Sequence, residues 1–283
     1  MKIIGGPASQ LLASRTARAL GVEPVLCEYS SFPDGELYLR IAEEIDNKAV
    51  TLIQSTPKDS DLVALLQLID ACEEAASINL VLPYMGYARQ DKKFKSGEPI
   101  SARAIARCIN VDRVFTVNIH EESILDYFPC PANDLNAAGL LGKHIGELGL
   151  EAPIVVAPDA GAQALASSVS GDLGFACDSL QKTRLSGDTV EIKTKCVDVE
   201  GRHLVLVDDM IATGGTMAES IRMLKGQGAA DVSLACVHPV LTKNAVIRLF
   251  NAGVKDIIAT DTLEKAESQV SVAPLIAKTL KAL

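Results

Sequence analysis

The residues best equipped for chemistry lie in Val205-Leu-Val-Asp-Asp-Met-Ile-Ala-Thr-Gly-Gly-Thr216, where an apolar strand runs into two carboxylates, two hydroxyls and two glycines. Asp208 and Asp209 are acceptors suited to vicinal sugar hydroxyls and to a nearby divalent cation. Ala212, Thr213, Gly214, Gly215 and Thr216 lead into a stretch of helical period at 217–224, and the amides at a helix N-terminus favour an anion. Two residues without Cβ let the backbone wrap a phosphate closely while the threonines donate to it. The spacing predicts one loop, 208–216, that reads phosphate and sugar together. Taken alone, Asp-Asp followed by Gly-Gly is as compatible with a tight turn capping the next helix.

Two unusual segments stand in the first half, Phe32-Pro-Asp-Gly-Glu36 and Tyr87-Ala-Arg-Gln-Asp-Lys-Lys93. An aromatic ring and a guanidinium can sandwich an adenine, and Arg, Lys and Gln side chains donate to phosphates. Neither Gly-x-x-x-x-Gly-Lys-Ser/Thr nor Gly-x-Gly-x-x-Gly occurs, so a bound nucleotide would be held by other means. Singly, Pro33-Asp-Gly35 is an ordinary turn and the basic run an ordinary solvated surface. His120 and Asp159 each follow an apolar strand, and in open α/β sheets ligands collect beyond strand carboxyl ends. No His-Glu-x-x-His zinc motif is formed, because Ile124 stands where the second histidine would be. Gln181-Lys-Thr-Arg-Leu-Ser-Gly187 places a basic triplet before a turn; without context it reads as an exposed hairpin.

These residues need a frame, and short β-branched runs alternating with helical stretches predict βαβ units around mostly parallel sheets. Strands are expected at Lys2–Gly5, 25–29, 49–54, 79–82, Arg113–Val117, Ile154–Ala157, 203–207, 232–237 and 256–260. Ser9 is placed to cap Gln10–Leu20, Ser60 to cap 61–74, and Ser101 to cap a helix reaching Ile109. The halves look alike when aligned on their strands, which predicts two domains, 1–143 and 144–283, joined within 137–151. A 48% hydrophobic and 22% charged composition suits compact folding, and a net charge of −9 disfavours a nucleic-acid partner, which needs a basic surface. Seven scattered cysteines without a Cys-x-x-Cys pair point to reduced thiols. With no apolar run near the roughly 20 residues of a membrane span, the expectation is a cytoplasmic protein without a membrane partner.

Taken in chain order, these segments resemble those of the ribose-phosphate pyrophosphokinases. The resemblance implies an α/β fold of two tandem type I phosphoribosyltransferase-like domains, each a mostly parallel sheet flanked by helices. The activity it implies is transfer of the diphosphoryl group of ATP to the anomeric hydroxyl of ribose 5-phosphate for nucleotide biosynthesis. Lys182 and Arg184 would be catalytic, on a mobile loop closing over the transferring phosphate. ATP would meet Phe32, Asp34, Gly35, Glu36, Arg89, Gln90 and Asp91. Ribose 5-phosphate would meet Arg184, Asp208, Asp209, Ala212, Thr213, Gly214, Gly215 and Thr216, while His120 and Asp159 would hold Mg²⁺. In that family the Phe-x-Asp-Gly-Glu loop completes the neighbour's nucleotide site, which implies a homo-oligomer of at least two chains. Ala212 stands where many members carry Asp, and Ala162 replaces a second glycine. A nucleobase phosphoribosyltransferase would share 208–216, yet it is usually one domain and has no need of 32–36, 89–90 or 182–184. A non-catalytic regulatory subunit would be expected to lack Lys182, Arg184, His120 or Asp159, and all four are present.

Overall fold

The computed structural model describes residues 1–186, 189–194 and 198–283, with side chains throughout except at 172, 181–186 and 189–194. The chain divides into two compact units. One is Met1–Asn136 with Thr262–Glu264 and Ser271–Leu283, and the other is Ala137–Asp261 with Lys265–Val270.

The first unit begins with β1 (Lys2–Gly5), α1 (Gln10–Leu20), β2 (Pro24–Val25), β3 (Cys27–Ser31), β4 (Leu37–Ile41), β5 (Ala49–Ile53) and α2 (Asp59–Asp70). It continues with β6 (Ser77–Leu82), α3 (Ser101–Ala106), β7 (Arg113–Val117) and β8 (Ala132–Leu135). Its sheet has the order β2-β1-β5-β6-β7-β8, every pairing parallel. Strands covered on both faces need continuous apolar runs, and from Val50 to Ile53 strand β5 is wholly buried. The expected strand 25–29 is two elements. It breaks at the exposed Leu26, whose carbonyl takes the Ala42 amide, and 27–31 pairs antiparallel with β4 as a separate hairpin. Helix α1 buries Leu12, Ala13, Thr16 and Ala17 along one stripe and ends at Gly21, whose positive φ of 73° closes the last turn.

The second unit runs through α4 (Ala138–Glu147), β9 (Ile154–Ala157), α5 (Gln163–Ser170), β10 (Ala176–Ser186), β11 (Thr189–Thr194) and β12 (His203–Met210). It is completed by α6 (Gly215–Gly226), β13 (Asp231–His238), α7 (Ala245–Asn251), β14 (Ile257–Thr260) and β15 (Ser268–Val270). Among the described residues its strands order as β11-β10-β9-β12-β13-β14-β15, parallel except for the β10–β11 hairpin. The expected seam between 143 and 144 falls inside α4, whereas the units part between Asn136 and Ala137. The last helix, α8 (Ala273–Leu280), returns to the first unit and packs its Ala273, Ile276, Ala277 and Leu280 stripe toward α1.

The expected serine caps are corrected. Ser9 precedes α1 without a side-chain cap; its hydroxyl instead takes the Ser55 amide at 2.9 Å. Ser60 lies inside α2, which starts earlier because Asp61 folds back to accept the Lys58 amide at 3.1 Å. Ser101 is already helical and its hydroxyl binds Gln90 Oε1. The Ser9 and Ser101 hydroxyls are taken by partners elsewhere in the fold, and at α2 the Asp61 carboxylate closes the first turn in place of Ser60.

Candidate active site

In the second unit the chain leaves β9 for β10 on one side, while β12 lies on the other side and leads on to β13 and β14. The order reverses between β9 and β12, and a crevice opens beyond the carboxyl ends of two strands at such a point. Asp159 follows β9, and Asp208 to Thr216 close β12. The carboxylates are not loop residues as expected: β12 extends through Met210, so Asp208 is held in register with Cys236. Helix α6 likewise begins at Gly215 rather than at Met217, which brings its first amides up to the two glycines.

The loop between them is stiffly built. Ile211 donates to His238 O at 3.1 Å, Leu241 to Ile211 O at 2.8 Å and Thr242 to Ala212 O at 3.0 Å. Gly214 is the residue before the helix, with φ 69° in the left-handed region, and a Cβ there would sit 3.2 Å from Leu249 Cγ. Only glycine meets both demands without strain. Asp208 is half-buried, and burial, then the charge of Asp209, pushes its carboxyl up to about 7. Asp159 turns its Oδ1 onto the amides of Gly161 at 2.9 Å and Ala162 at 3.3 Å, fixing the turn into α5.

In the first unit the reversal lies between β1 and β5, and there the chain fills its own crevice. Gln54 Oε1 takes the Ala8 amide at 3.2 Å, and a Cβ on Gly6 would overlap that oxygen. Gln54 and Ser55 are fully buried. The predicted site residues instead leave the adjacent strands β6 and β7. After β6 the chain passes Gly86, whose Cβ would clash with Thr56 O at 2.2 Å, and Tyr87, at φ 65° with its hydroxyl on Asp59. Arg89 is exposed, Asp91 is half-buried, and Gln90 is tied through its side chain to Ser101 and through its carbonyl to the Ala102 amide. His120 is exposed beyond the end of β7.

Sequence reasoning missed Asp134. Half-buried on β8, it accepts from Thr116 Oγ1 at 2.5 Å and from the Ile119 amide at 3.0 Å, while the Asn118 amide, at φ 41°, donates to Leu135 O. Burial raises its pKa above the usual carboxylate value. Its two bonds set the bend that presents His120, and no motif in the sequence announces them.

The segment 32–36 is the tip of the β3–β4 hairpin, closed by Phe32 and Glu36 backbone pairing and by Gly35 at φ 94°. Phe32 is 51% exposed there and meets Tyr38 edge-on at 5.9 Å between centroids. Lys182 and Arg184 fall on β10, antiparallel to β11, but their side chains lie outside the described residues, as does Gly187. Among the described residues no three His, Cys, Asp or Glu side chains converge on one point. The donors present at the two strand ends, the His120 imidazole and the Asp159 carboxylate, fit a cation that takes its remaining ligands from water or phosphate oxygens.

Two family models match the chain: the N-terminal domain of ribose phosphate pyrophosphokinase over residues 1–111, and the phosphoribosyl transferase domain over residues 126–273. A ribose-phosphate pyrophosphokinase of Methanosarcina acetivorans is 77% identical over 283 residues, covering all of both chains. One of Methanosarcina mazei is 77% identical over 280 residues, 99% of this chain and 95% of that one. The crystal structure of phosphoribosylpyrophosphate synthetase from Mycobacterium smegmatis superposes with a TM-score of 0.87 at 34% identity, covering 100% of this chain and 97% of the other.

Proposed function

The chain belongs to the ribose-phosphate pyrophosphokinases, and from that premise we propose how its residues divide the work. The enzyme is a diphosphotransferase built of two phosphoribosyltransferase-type α/β domains. The anomeric hydroxyl of ribose 5-phosphate attacks the β-phosphorus of ATP, the bond to the α-phosphate breaks, and AMP leaves with 5-phosphoribosyl 1-diphosphate as the other product.

The observation that carries the assignment of the sugar site is the end of β12. Asp208 and Asp209 offer carboxylates for the ribose hydroxyls, and the turn from Ala212 to Thr216 opens a helix N-terminus toward the 5-phosphate. The backbone of Ala212 still donates there although its side chain carries no acid. Phe32, Asp34, Gly35, Glu36, Arg89, Gln90 and Asp91 are assigned to ATP. Lys182 and Arg184 are assigned to the charge that develops on the transferring group, where fixed cations act most strongly once water is excluded. His120 and Asp159 are each assigned to Mg²⁺, which when bound supplies charge neutralisation on the nucleotide phosphates. Transfer of this kind depends mainly on in-line positioning, so the protein's part is to hold and orient.

The exposed Phe32 at a hairpin tip, with Tyr38 40% exposed beside it, supports a homo-oligomer of at least two chains in which this tip meets a neighbour. Among the described residues no helix is long and apolar enough to cross a membrane, and Cys27, Cys72, Cys108, Cys130, Cys177 and Cys236 are free thiols. Reduced thiols support a cytoplasmic site of action. Mixing protein, Mg-ATP and ribose 5-phosphate and separating the nucleotides tests the reaction: AMP is expected, and ADP as the product sinks it.

A further inference from the structure

The segment after β13 does more than connect strands. Its backbone carries Leu241 at φ 43° and Lys243 at φ 57°, values that favour glycine, and these bends bring the start of α7 against the loop at the end of β12. From the second turn of α7, Arg248 reaches back across 35 residues of sequence and donates from Nη1 to Thr213 O at 2.7 Å. The same nitrogen stands 3.9 Å from where a Cβ on Gly215 would be, as close as Thr213 Oγ1. A guanidinium is thereby fixed at the first turn of α6, alongside the amides assigned to the 5-phosphate. Arg248 is exposed, and among the described residues no carboxylate pairs with it.

The charge balance of the loop gives this cation a task. Asp208 and Asp209 stand at one end of it, on a chain of net charge −9, and a phosphate brought to the other end adds further negative charge. The loop itself contributes no Lys or Arg between 208 and 216. Helix amides carry only partial charge, so a full positive charge within the first turn adds directly to anion affinity. One donor of Arg248 holds the Thr213 carbonyl, and its guanidinium has five N–H groups in all. We infer that Arg248 is a specificity residue for ribose 5-phosphate: it fixes the loop through Thr213 and reads the 5-phosphate by its charge. The inference rests on the assignment of this loop to the sugar phosphate.

Calorimetric titration with ribose 5-phosphate in the absence of nucleotide tests it apart from turnover. Arg248→Ala and Arg248→Gln are both expected to bind at least tenfold more weakly than the parent, and Arg248→Lys to recover most of the loss. In steady state the loss is expected in KM for ribose 5-phosphate, with KM for ATP and the melting temperature little changed. A purely structural clamp predicts a different pattern: the two KM values and the melting temperature move together. Affinity within twofold of the parent in Arg248→Gln, which removes the charge but can still hold Thr213 O, overturns the inference. Parent protein that forms AMP but shows no difference from Arg248→Ala in the titration overturns it while leaving the reaction intact. Parent protein that binds no ribose 5-phosphate overturns it together with the sugar-site assignment beneath it.

Discussion

Replacing Asp208 with asparagine should make the ligand-free, metal-free protein more stable and the enzyme worse. In the folded chain burial and the neighbouring Asp209 push this carboxyl up to about 7, while in the unfolded chain it titrates near the ordinary value of 3.8. A folded-state pKa above the unfolded one means that the native state binds more protons between those two values. The contribution of this one group to stability is then greatest below about pH 4, falls as pH rises toward 7, and is flat above it. A separation of about three units sets a ceiling of about 4 kcal/mol on the cost of charging Asp208 at pH 8. Asp209 also loses a repelling neighbour in the variant, whereas water reaching a half-buried group lowers the gain, and we expect about 2 kcal/mol. For a chain of this size that is a rise in melting temperature of roughly 4 °C. The assay is thermal unfolding in chelator at pH 8 and pH 5, parent beside Asp208→Asn. The gain at pH 8 should be at least twice that at pH 5. Equal gains at the two pH values, or a loss at pH 8, refute the idea that the site holds this carboxylate at an energetic disadvantage. Turnover should move the other way, with kcat/KM for ribose 5-phosphate falling about tenfold or more as a charged acceptor is lost.

Further outcomes are expected elsewhere in the molecule. Lys182→Ala should lower turnover by several orders of magnitude while titrations still report both substrates binding; a near-normal rate removes Lys182 from the mechanism. Gly214→Ala should cost about 1–2 kcal/mol, since alanine is disfavoured at φ 69° and its methyl presses on Leu249, and KM for ribose 5-phosphate should rise with it; unchanged stability would show that the turn relaxes freely. Asp134→Ala should weaken binding of Mn²⁺ with nucleotide, read by the spin resonance of the metal, whereas Asp134→Asn, which can still accept from Thr116 and Ile119, should bind nearly as the parent. Equal behaviour of those two variants would mean that the Ile119 bond does not govern the His120 bend.

Local signals carried far along this chain. Strands β1, β7 and β9 lie where their apolar runs place them, because a strand buried on both faces has no other pattern to offer. The helix of α1 was equally plain, but its cap was not: Ser9 finds Ser55 across the sheet, a partner 46 residues away that local rules do not see. The break at Leu26 turned on a hairpin whose second strand, β4, lies beyond a turn read only for its chemistry. At the site, residue types and order pointed to Asp208, Asp209 and the glycines, since each does its work through its own backbone or side chain. Asp134 and Arg248 carry no such local signal, for the opposite reason. Each acts on another segment's backbone, and an acid on an edge strand or an arginine in a short helix looks ordinary until the fold brings its partner near.

The return of α8 to the first unit bears on how the protein is made. Synthesis is vectorial, and Leu12, Ala13, Thr16 and Ala17 leave the ribosome more than 250 residues ahead of the helix that packs beside them. The first unit therefore cannot finish folding as it emerges; it waits, with one flank of α1 uncovered, until the whole of the second unit has been translated. A fragment ending at residue 136 would carry that uncovered flank permanently, so the two units are separable in description but not in biosynthesis.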